Sequence, residues 1–176
     1  MIFDYTGQLI WYGNNTVQVR GQDLHVCDYN DHGVGTHLCF NDAAPVPQGG
    51  HSSGNIRFLD NTYTDVTGDF SAANGLIAPD IHELNTPNAG TGSSFIQDVY
   101  QLTPADLTAY DGPADGYVWN GCFQEVDFNS RDVLFQWCSL DYIGLNETYS
   151  YLEETVGQYF SPISGNGSQA VPWDYA

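Results

Sequence analysis

The sequence predicts a mainly β protein in which antiparallel strands form propeller-like blades, an incomplete propeller with one or two short helices. Short apolar runs alternate with turn residues along the chain, which is typical of strands joined by tight turns. The 176 residues include 19 glycines and 8 prolines, a composition that favours turns over long helices. An apolar–Asp–turn–strand unit recurs at Asp4 and Asp127, with a weaker copy at Asp60, which suggests repeated blades. The alternative is that such hairpins occur in any β protein. At this length we expect one domain, residues 1–176.

The individual strands are predicted from apolar residues that are bounded by turn residues. In chain order they are Ile2–Tyr5, Gln8–Tyr12, Thr36–Phe40, Asn55–Leu59, Phe95–Leu102, Cys122–Phe128 and Val133–Trp137. The first two flank Thr6-Gly7 and predict a β-hairpin, and the last two predict a second hairpin. In each hairpin we expect the aspartate before the turn to cap the turn's own backbone.

Two short helices are predicted. Thr103 offers an N-cap hydroxyl and Pro104 suits the first helical position, so a helix is expected over residues 104–110, ending before Gly112-Pro113. The second candidate is Tyr149–Phe160, where four apolar side chains share one helical face.

Charge excludes several classes of function. The sequence has three basic residues, Arg20, Arg57 and Arg131, and no lysine. Against them stand 22 acidic residues, which gives a net charge of −19. A groove for nucleic acid needs clustered cations, so no nucleic-acid partner is expected. An anionic membrane surface would repel the chain. No apolar run approaches the ~18–20 residues of a membrane-spanning helix, so no membrane span is expected.

The cysteines form no C-x-x-C pair, which argues against a zinc or thioredoxin-type motif. Cys27 and Cys39 lie close in sequence across a glycine-rich turn, and Cys122 and Cys138 lie in or next to the strands of one hairpin. These two pairings are favoured among the three possible ones if the protein is secreted. The alternative is that all four are small buried apolar side chains.

Other features point to the secretory pathway. The chain has no lysine and an even number of cysteines, and it contains three N-x-[ST] sequons. The sequons predict glycosylation at Asn14, Asn146 and Asn166. No signal peptide opens this sequence, so an extracellular or secretory location implies that a leader was removed or that the chain starts inside a longer protein.

Five histidines are the candidates for chemistry near neutral pH. Four lie in the first third of the chain: His25, His32, His37 and His51. The fifth, His82, lies in the acidic segment Asp80–Leu84, where a charged imidazole would suit an anionic ligand. For each of them the alternative is a surface histidine that is hydrogen-bonded to backbone.

The segment Asp28–Asp31 offers oxygen ligands for calcium. It lacks the spacing of an EF-hand, however, and an acidic, solvated loop is the favoured interpretation. The sequence therefore predicts no metal site, and we also expect no cofactor.

Longer motifs give a resemblance to a known family. They are Tyr100–Leu107, Gly112–Tyr117, Phe123–Asp127 and Val133–Asp141, with the outlying segments Asp80–Leu84 and Trp173–Tyr175. In order and approximate spacing they resemble the N-terminal part of the fungal arylsulfotransferase-type (ASST-like) β-propeller family. The match is most specific from Tyr100 to Asp141 and looser before Asp80.

The resemblance implies a secreted or lumenal propeller related to enzymes that move a sulfuryl group between phenols through a histidine nucleophile. Its implied partners are a phenolic sulfate donor and a phenol acceptor. His82 falls in the family's His-Glu segment and is the residue for which the resemblance implies a catalytic role. That role is to bind or neutralise a sulfate oxygen, as a donor to developing charge.

The sequence also departs from the family pattern. In the family, the Trp-Asp-Tyr segment continues into a His-x-Asn motif, whereas this sequence stops at Tyr175-Ala176. We therefore expect the nucleophile and the arginine to lie beyond this C-terminus, in blades that are missing here. Unpaired sheet edges would then favour self-association or association with the missing blades.

The alternative function is a non-catalytic, secreted, β-rich binding or self-associating structural module. Abundant aromatic side chains fit both functions, because phenols, sugars and protein partners all stack on them. The scarcity of arginine argues against a complete site for sulfate.

Our first prediction follows from the expected absence of the nucleophile and the arginine from this sequence. The isolated chain should give no measurable sulfuryl transfer from a nitrophenyl sulfate donor to a phenol. Robust turnover that disappeared in His82→Ala would contradict this and make His82 a catalyst. Turnover that survived His82→Ala would instead point to one of the four earlier histidines.

Overall fold

A computed structural model describes residues 1–12, 20–29, 35–45, 51–66, 70–87, 93–150, 152 and 165–175. The strands are β1 (Ile2–Phe3), β2 (Leu9–Trp11), β3 (Arg20–Cys27), β4 (His37–Pro45), β5 (Ser52–Leu59), β6 (Leu84–Asn85), β7 (Ser94–Ala105), β8 (Gly116–Asp127), β9 (Val133–Cys138) and β10 (Trp173–Asp174). Helical structure in these ranges consists of three 3₁₀ turns, Thr108–Tyr110, Ser139–Asp141 and Leu145–Glu147. The predicted mainly β, propeller-like class is confirmed.

The described strands form three sheets. β1 and β2 make a hairpin, and β3, β4 and β5 make an antiparallel sheet in that order. In the largest sheet β7 lies between β6 and β8, and β9 and β10 both pair with β8. All pairings are antiparallel except that of β10 with β8. No helix in the described part of the chain has the length and apolar character needed to cross a membrane.

The predicted aspartate-capped turns are confirmed at Asp4, Asp60 and Asp127. In each turn one carboxylate oxygen accepts two backbone N–H bonds. The donors are Thr6 and Gln8 at 2.8 and 2.9 Å, Thr62 and Thr64 at 2.8 and 3.0 Å, and Asn129 and Ser130 at 2.9 and 2.8 Å. Bonds to the charged form lower the pKa of all three carboxyls, mainly through a threonine hydroxyl in the first two turns and a backbone N–H in the third.

The predicted start of the first helix is wrong. Thr103, Pro104 and Ala105 end strand β7, where they pair with residues 116–118 of β8. Proline has no N–H to donate, yet it fits here because the two-residue β6 pairs only with Ile96 and Gln97 and leaves this end of β7 uncovered. Helical structure begins only at Thr108, whose N–H donates to Asp106 at 2.9 Å.

The second predicted helix falls mostly outside the described residues. Within it, Tyr149, Ser150 and Leu152 are described and are not helical. The residues Asn14, Asn30, Asp31 and His32, named in the sequence predictions, also lie outside the described part of the chain.

A buried aromatic cluster joins the two larger sheets. Phe58 of β5 is fully buried, with ring centroids 6.1 Å from Phe70, 6.3 Å from Phe95 and 5.2 Å from Phe128. All three contacts are edge-to-face, the arrangement that the ring quadrupole favours. Residues from both sheets therefore share one core.

Two disulfides lie within these sheets. Cys27 is joined to Cys39, with Cα atoms 5.9 Å apart, and so links β3 to β4. Cys122 is joined to Cys138, directly opposite it in the β8–β9 register, with Cα atoms 4.1 Å apart. Both are the pairings that the sequence favours.

The shared core gives a second prediction. Phe58→Ala should lower the free energy of unfolding by about 3–5 kcal/mol, since it leaves a cavity between the two sheets. The matched control is Phe135→Ala on β9, where the ring is 49% exposed, and this variant should cost far less. Urea unfolding followed by tryptophan fluorescence measures both, and equal losses would contradict a core centred on Phe58.

Candidate functional site

Five side chains from separate parts of the chain meet where the two larger sheets come together. They form the His51–His82 cluster, which consists of His51, Asp80, His82, Tyr100 and Asp174. His51 directly precedes β5, Asp80 and His82 precede β6, and Tyr100 and Asp174 lie in β7 and β10. One atom from each of His51, Asp80 and His82 lies within 4.8 Å of the others.

Asp80 anchors the cluster. It is fully buried, and its Oδ1 accepts the Ser52 N–H at 2.5 Å and the Ser52 hydroxyl at 3.3 Å. Its Oδ2 accepts the backbone N–H of His82 at 3.3 Å and contacts Nδ1 of the same ring. A buried carboxylate needs such partners to offset its loss of hydration. These bonds hold Asp80 in one orientation.

His82 is the exposed member of the cluster, with 54% of its side chain accessible. Asp80 contacts Nδ1, so the ring directs Nε2 away from the carboxylate. His82 therefore offers one oriented ring nitrogen to a ligand.

His51 is the buried histidine of the cluster, at 5% exposure. Its Nε2 lies 3.1 Å from Oδ2 of Asp174. Its ring stacks on Tyr100 at a centroid distance of 3.7 Å and meets the edge of Trp119 at 5.3 Å. Its Nδ1 and the Oδ1 atom of Asp174 are buried without a hydrogen-bond partner among the described residues.

Carboxylates dominate the electrostatics of this region. Burial, together with the charge of Asp80, raises the pKa of Asp98 to about 6. Burial, then the charges of Asp174, Asp98 and Asp80, raises the pKa of Tyr100. The arginines whose side chains are described lie elsewhere: Arg57 pairs with Asp42 and Asp65 at 3.4 and 3.0 Å. Among the described residues, only the histidines bring to the cluster a side chain that is able to carry positive charge.

Arg131 lies in the turn between β8 and β9 and is exposed, but it is not isolated. Its guanidinium carbon lies 3.2 Å from the centroid of the buried Phe70 ring. This cation–π contact covers one end of the aromatic core. Arg131 therefore has a packing role away from the cluster.

An aromatic cavity of 420 Å³ adjoins the cluster, shares Tyr100 with it and is also lined by Asp98. Phe123 and Trp137, which are opposite each other on β8 and β9, form part of its wall. Their rings stack at a centroid distance of 5.5 Å. A flat aromatic ligand would fit such a wall. A larger cavity of 620 Å³, near Tyr110 and Trp173, has no histidine or described arginine in its lining.

The other predicted site residues lie apart from the cluster. His25 contacts the Asp23 carbonyl at 2.7 Å and Sγ of Cys39 at 3.3 Å, and His37 contacts the Thr36 hydroxyl at 2.8 Å. Of the sequon asparagines, Asn146 is exposed, whereas Asn166 is half-buried and accepts the N–H of Ser168 at 3.0 Å.

Asp28 corrects the expectation of a solvated acidic loop. It is buried at 7% exposure. Its carboxylate accepts the N–H of Gly35, and its own N–H donates to the Thr86 hydroxyl at 3.3 Å. Asp28 therefore fixes local backbone rather than facing solvent.

Comparison with known proteins identifies the family. The model of the arylsulfotransferase (ASST) family matches residues 34–176. The chain belongs to the arylsulfotransferase family. The match includes His51, His82 and Asp174, so the whole cluster falls within the family domain. Searches of curated proteins and of solved structures gave no match.

The raised pKa of Asp98 gives a third prediction. This carboxyl binds its proton more tightly in the folded state, where its pKa is about 6, than in the unfolded chain, where it is about 3.9. Its ionisation therefore costs stability as pH rises from 4 to above 6, and the loss disappears at lower pH. Asp98→Asn should gain about 1–3 kcal/mol over the wild type at pH 7 and little at pH 4.

Urea unfolding across this pH range measures the difference. Asp111→Asn, at an exposed aspartate, serves as the matched control. Parallel curves for Asp98→Asn and the wild type would contradict an ionisation penalty at Asp98.

Proposed function

We propose that this protein binds an aryl sulfate at the His51–His82 cluster and so contributes the substrate-binding part of a site for sulfuryl transfer to a phenol, whose nucleophile these residues do not supply. The observation that carries the proposal is one oriented, exposed imidazole, His82, beside an aromatic cavity. Membership of the arylsulfotransferase family supports the choice of substrates. In this reaction the sulfuryl group leaves the oxygen of the donor and bonds to the oxygen of the acceptor phenol, and the acceptor's proton ends on the released phenol. No atom changes oxidation state, so no oxidant or reductant is needed.

The role of His82 follows from its contact with Asp80. Because the carboxylate holds Nδ1, a protonated ring directs its second N–H, at Nε2, toward an incoming sulfate oxygen. A fixed donor of this kind stabilises negative charge without reorganising during the reaction. Asp80 is thus a positioning residue, and His82 is the residue that meets the substrate.

The aromatic cavity supports binding of the aryl group. Its volume of 420 Å³ is in the range of about 300–1,000 Å³ for small-molecule sites. A phenyl ring stacked against Phe123 and Trp137 would lie on the wall that Tyr100 links to the cluster. Protonation of Asp98 would reduce its repulsion of the sulfate.

The second candidate function is a non-catalytic binding module. It is favoured by a row of stacked rings on β8, β9 and the following turn. Phe135 stacks on Phe123 at 5.7 Å, and Trp137 stacks on Tyr142 at 5.7 Å with planes 6° apart. Phe135 and Tyr142 are 49% and 69% exposed. Exposed rings of this kind bind sugars or protein surfaces without chemistry.

We also propose a secretory or extracellular location. The two disulfides support it, since such bonds persist in oxidising compartments. The exposed sequon residue Asn146 is the best placed of the described sequon asparagines to carry a glycan.

A fourth prediction tests the aryl sulfate site. Calorimetric titration of the chain with 4-nitrophenyl sulfate at pH 6 should show saturable binding, and His82→Ala should weaken it at least about tenfold. That factor corresponds to the loss of one charge-assisted hydrogen bond. Trp137→Ala should also weaken binding through lost stacking.

The controls separate the two candidate functions. His25→Ala changes a histidine that contacts Asp23 and does not line the cavity, and it should leave affinity unchanged. Unsulfated 4-nitrophenol should bind more weakly than its sulfate. Equal affinity for the two compounds, with no effect of His82→Ala, would overturn the proposal and favour the binding module.

A further inference from the structure

We propose that His51, Asp80 and His82 form a binding site for a divalent transition-metal ion, with Zn²⁺ as the best match. Two imidazoles and one carboxylate are a common ligand set for such ions. The inference concerns metal binding by the chain itself and does not depend on its binding an aryl sulfate.

The distances suit this site. One ligand atom from each residue lies within 4.8 Å of the other two. Zinc lies about 2.0–2.2 Å from nitrogen and oxygen ligands in a tetrahedral arrangement, so atoms bound to one ion are about 3.3–3.6 Å apart. Only a small movement is needed, and His82, with 54% of its side chain exposed, has room to make it.

The surroundings of His51 support a metal more directly. Its Nε2 contacts the Asp174 carboxylate at 3.1 Å, while its Nδ1 is buried without a hydrogen-bond partner among the described residues. A buried, unpaired polar atom costs about 1–3 kcal/mol. Metal-binding histidines usually donate one ring N–H to a carboxylate and present the other nitrogen to the ion. The contact with Asp174 at Nε2 leaves Nδ1 of His51 available to bind a metal ion.

Asp80 has the matching outer contacts. The N–H and hydroxyl of Ser52 both bond to its Oδ1. Hydrogen bonds of this kind fix the direction of a ligating carboxylate. Its Oδ2 contacts Nδ1 of His82. Both atoms can bind a metal ion, so an ion placed between them would replace this hydrogen bond.

Charge balance favours a cation. Asp80 and Asp174 are buried within the cluster, and Asp98 lies next to it. A divalent ion would offset charge that the two histidines offset only when protonated. Calcium and magnesium fit less well, because they prefer sites built from oxygen ligands.

A second group with metal-binding residues does not compete. His25, Cys27 and Cys39 also lie close together. Their two sulfurs are joined in a disulfide, and only a thiolate binds metal strongly.

The test is a titration of the chelator-treated, disulfide-intact chain with ZnCl₂, followed by calorimetry, and with CoCl₂, followed by visible absorption. We expect one saturable equivalent and cobalt absorption bands typical of nitrogen and oxygen ligands. His82→Ala should weaken binding more than about 100-fold, since loss of an outer contact alone costs about 10–100-fold. His82 is the deciding position because its exposed side chain can be removed without opening the core.

Two further variants complete the test. Asp174→Asn should weaken Zn²⁺ binding by about 10–100-fold, as expected for an outer contact to His51. His25→Ala should leave it unchanged. Absence of a saturable equivalent, equal affinity in His82→Ala, or loss of binding in His25→Ala would each overturn the site. All titrations are made without aryl sulfate, so failure here leaves the fourth prediction standing and the reverse also holds.

Discussion

The buried carboxylate of Asp80 is the constraint on which the cluster depends. A charge with no access to water is tolerated only where donors surround it. Here the donors come from Ser52 at the start of β5 and from His82, and the Asp80 N–H bonds to the Asp98 carbonyl in β7 at 2.9 Å. One residue therefore ties the end of one sheet to the middle of the other. Because the bonds are directional, the same carboxylate that joins the sheets also orients the exposed imidazole.

The long-range contact of His51 with Asp174 completes the cluster. These residues are 123 positions apart, and they meet because β10 pairs in parallel with β8 at Val118 and Trp119. Trp119 in turn contacts the His51 ring. The aromatic core around Phe58 sets the spacing of the two sheets. The cluster lies where this packing brings together polar residues at or near the ends of strands from both sheets. Packing thus brings the residues into contact, while buried charge fixes their orientation.

Local signals in the sequence predicted local structure well. Asp4, Asp60 and Asp127 cap their turns as expected, because the carboxylate and its donors are at most four residues apart. The helix predicted from Pro104 was wrong, because the local sequence resembles a helix start and does not show that β8 pairs with this segment. Strand β3 was missed because Arg20–Cys27 contains only three apolar residues. His82 was singled out through its family segment, but no spacing rule links it to His51 or Asp174. That link exists only once the sheets pack together.

An acidic protein can hold an anion-binding site if its carboxylates contact the side chains that bind the anion and do not face the anion itself. Asp80 and Asp174 contact the ring nitrogens of His82 and His51, so these carboxylates face the imidazoles rather than a bound anion. Asp98 and Glu83 are different, because both line the cavity directly, and the raised pKa of Asp98, about 6, allows that carboxyl to be neutral in mildly acidic solution. An aryl sulfate also carries a single negative charge, so a few fixed donors can match it without an arginine. The net charge of the chain therefore says little about this site, where the direction of each carboxylate decides which ligand is favoured.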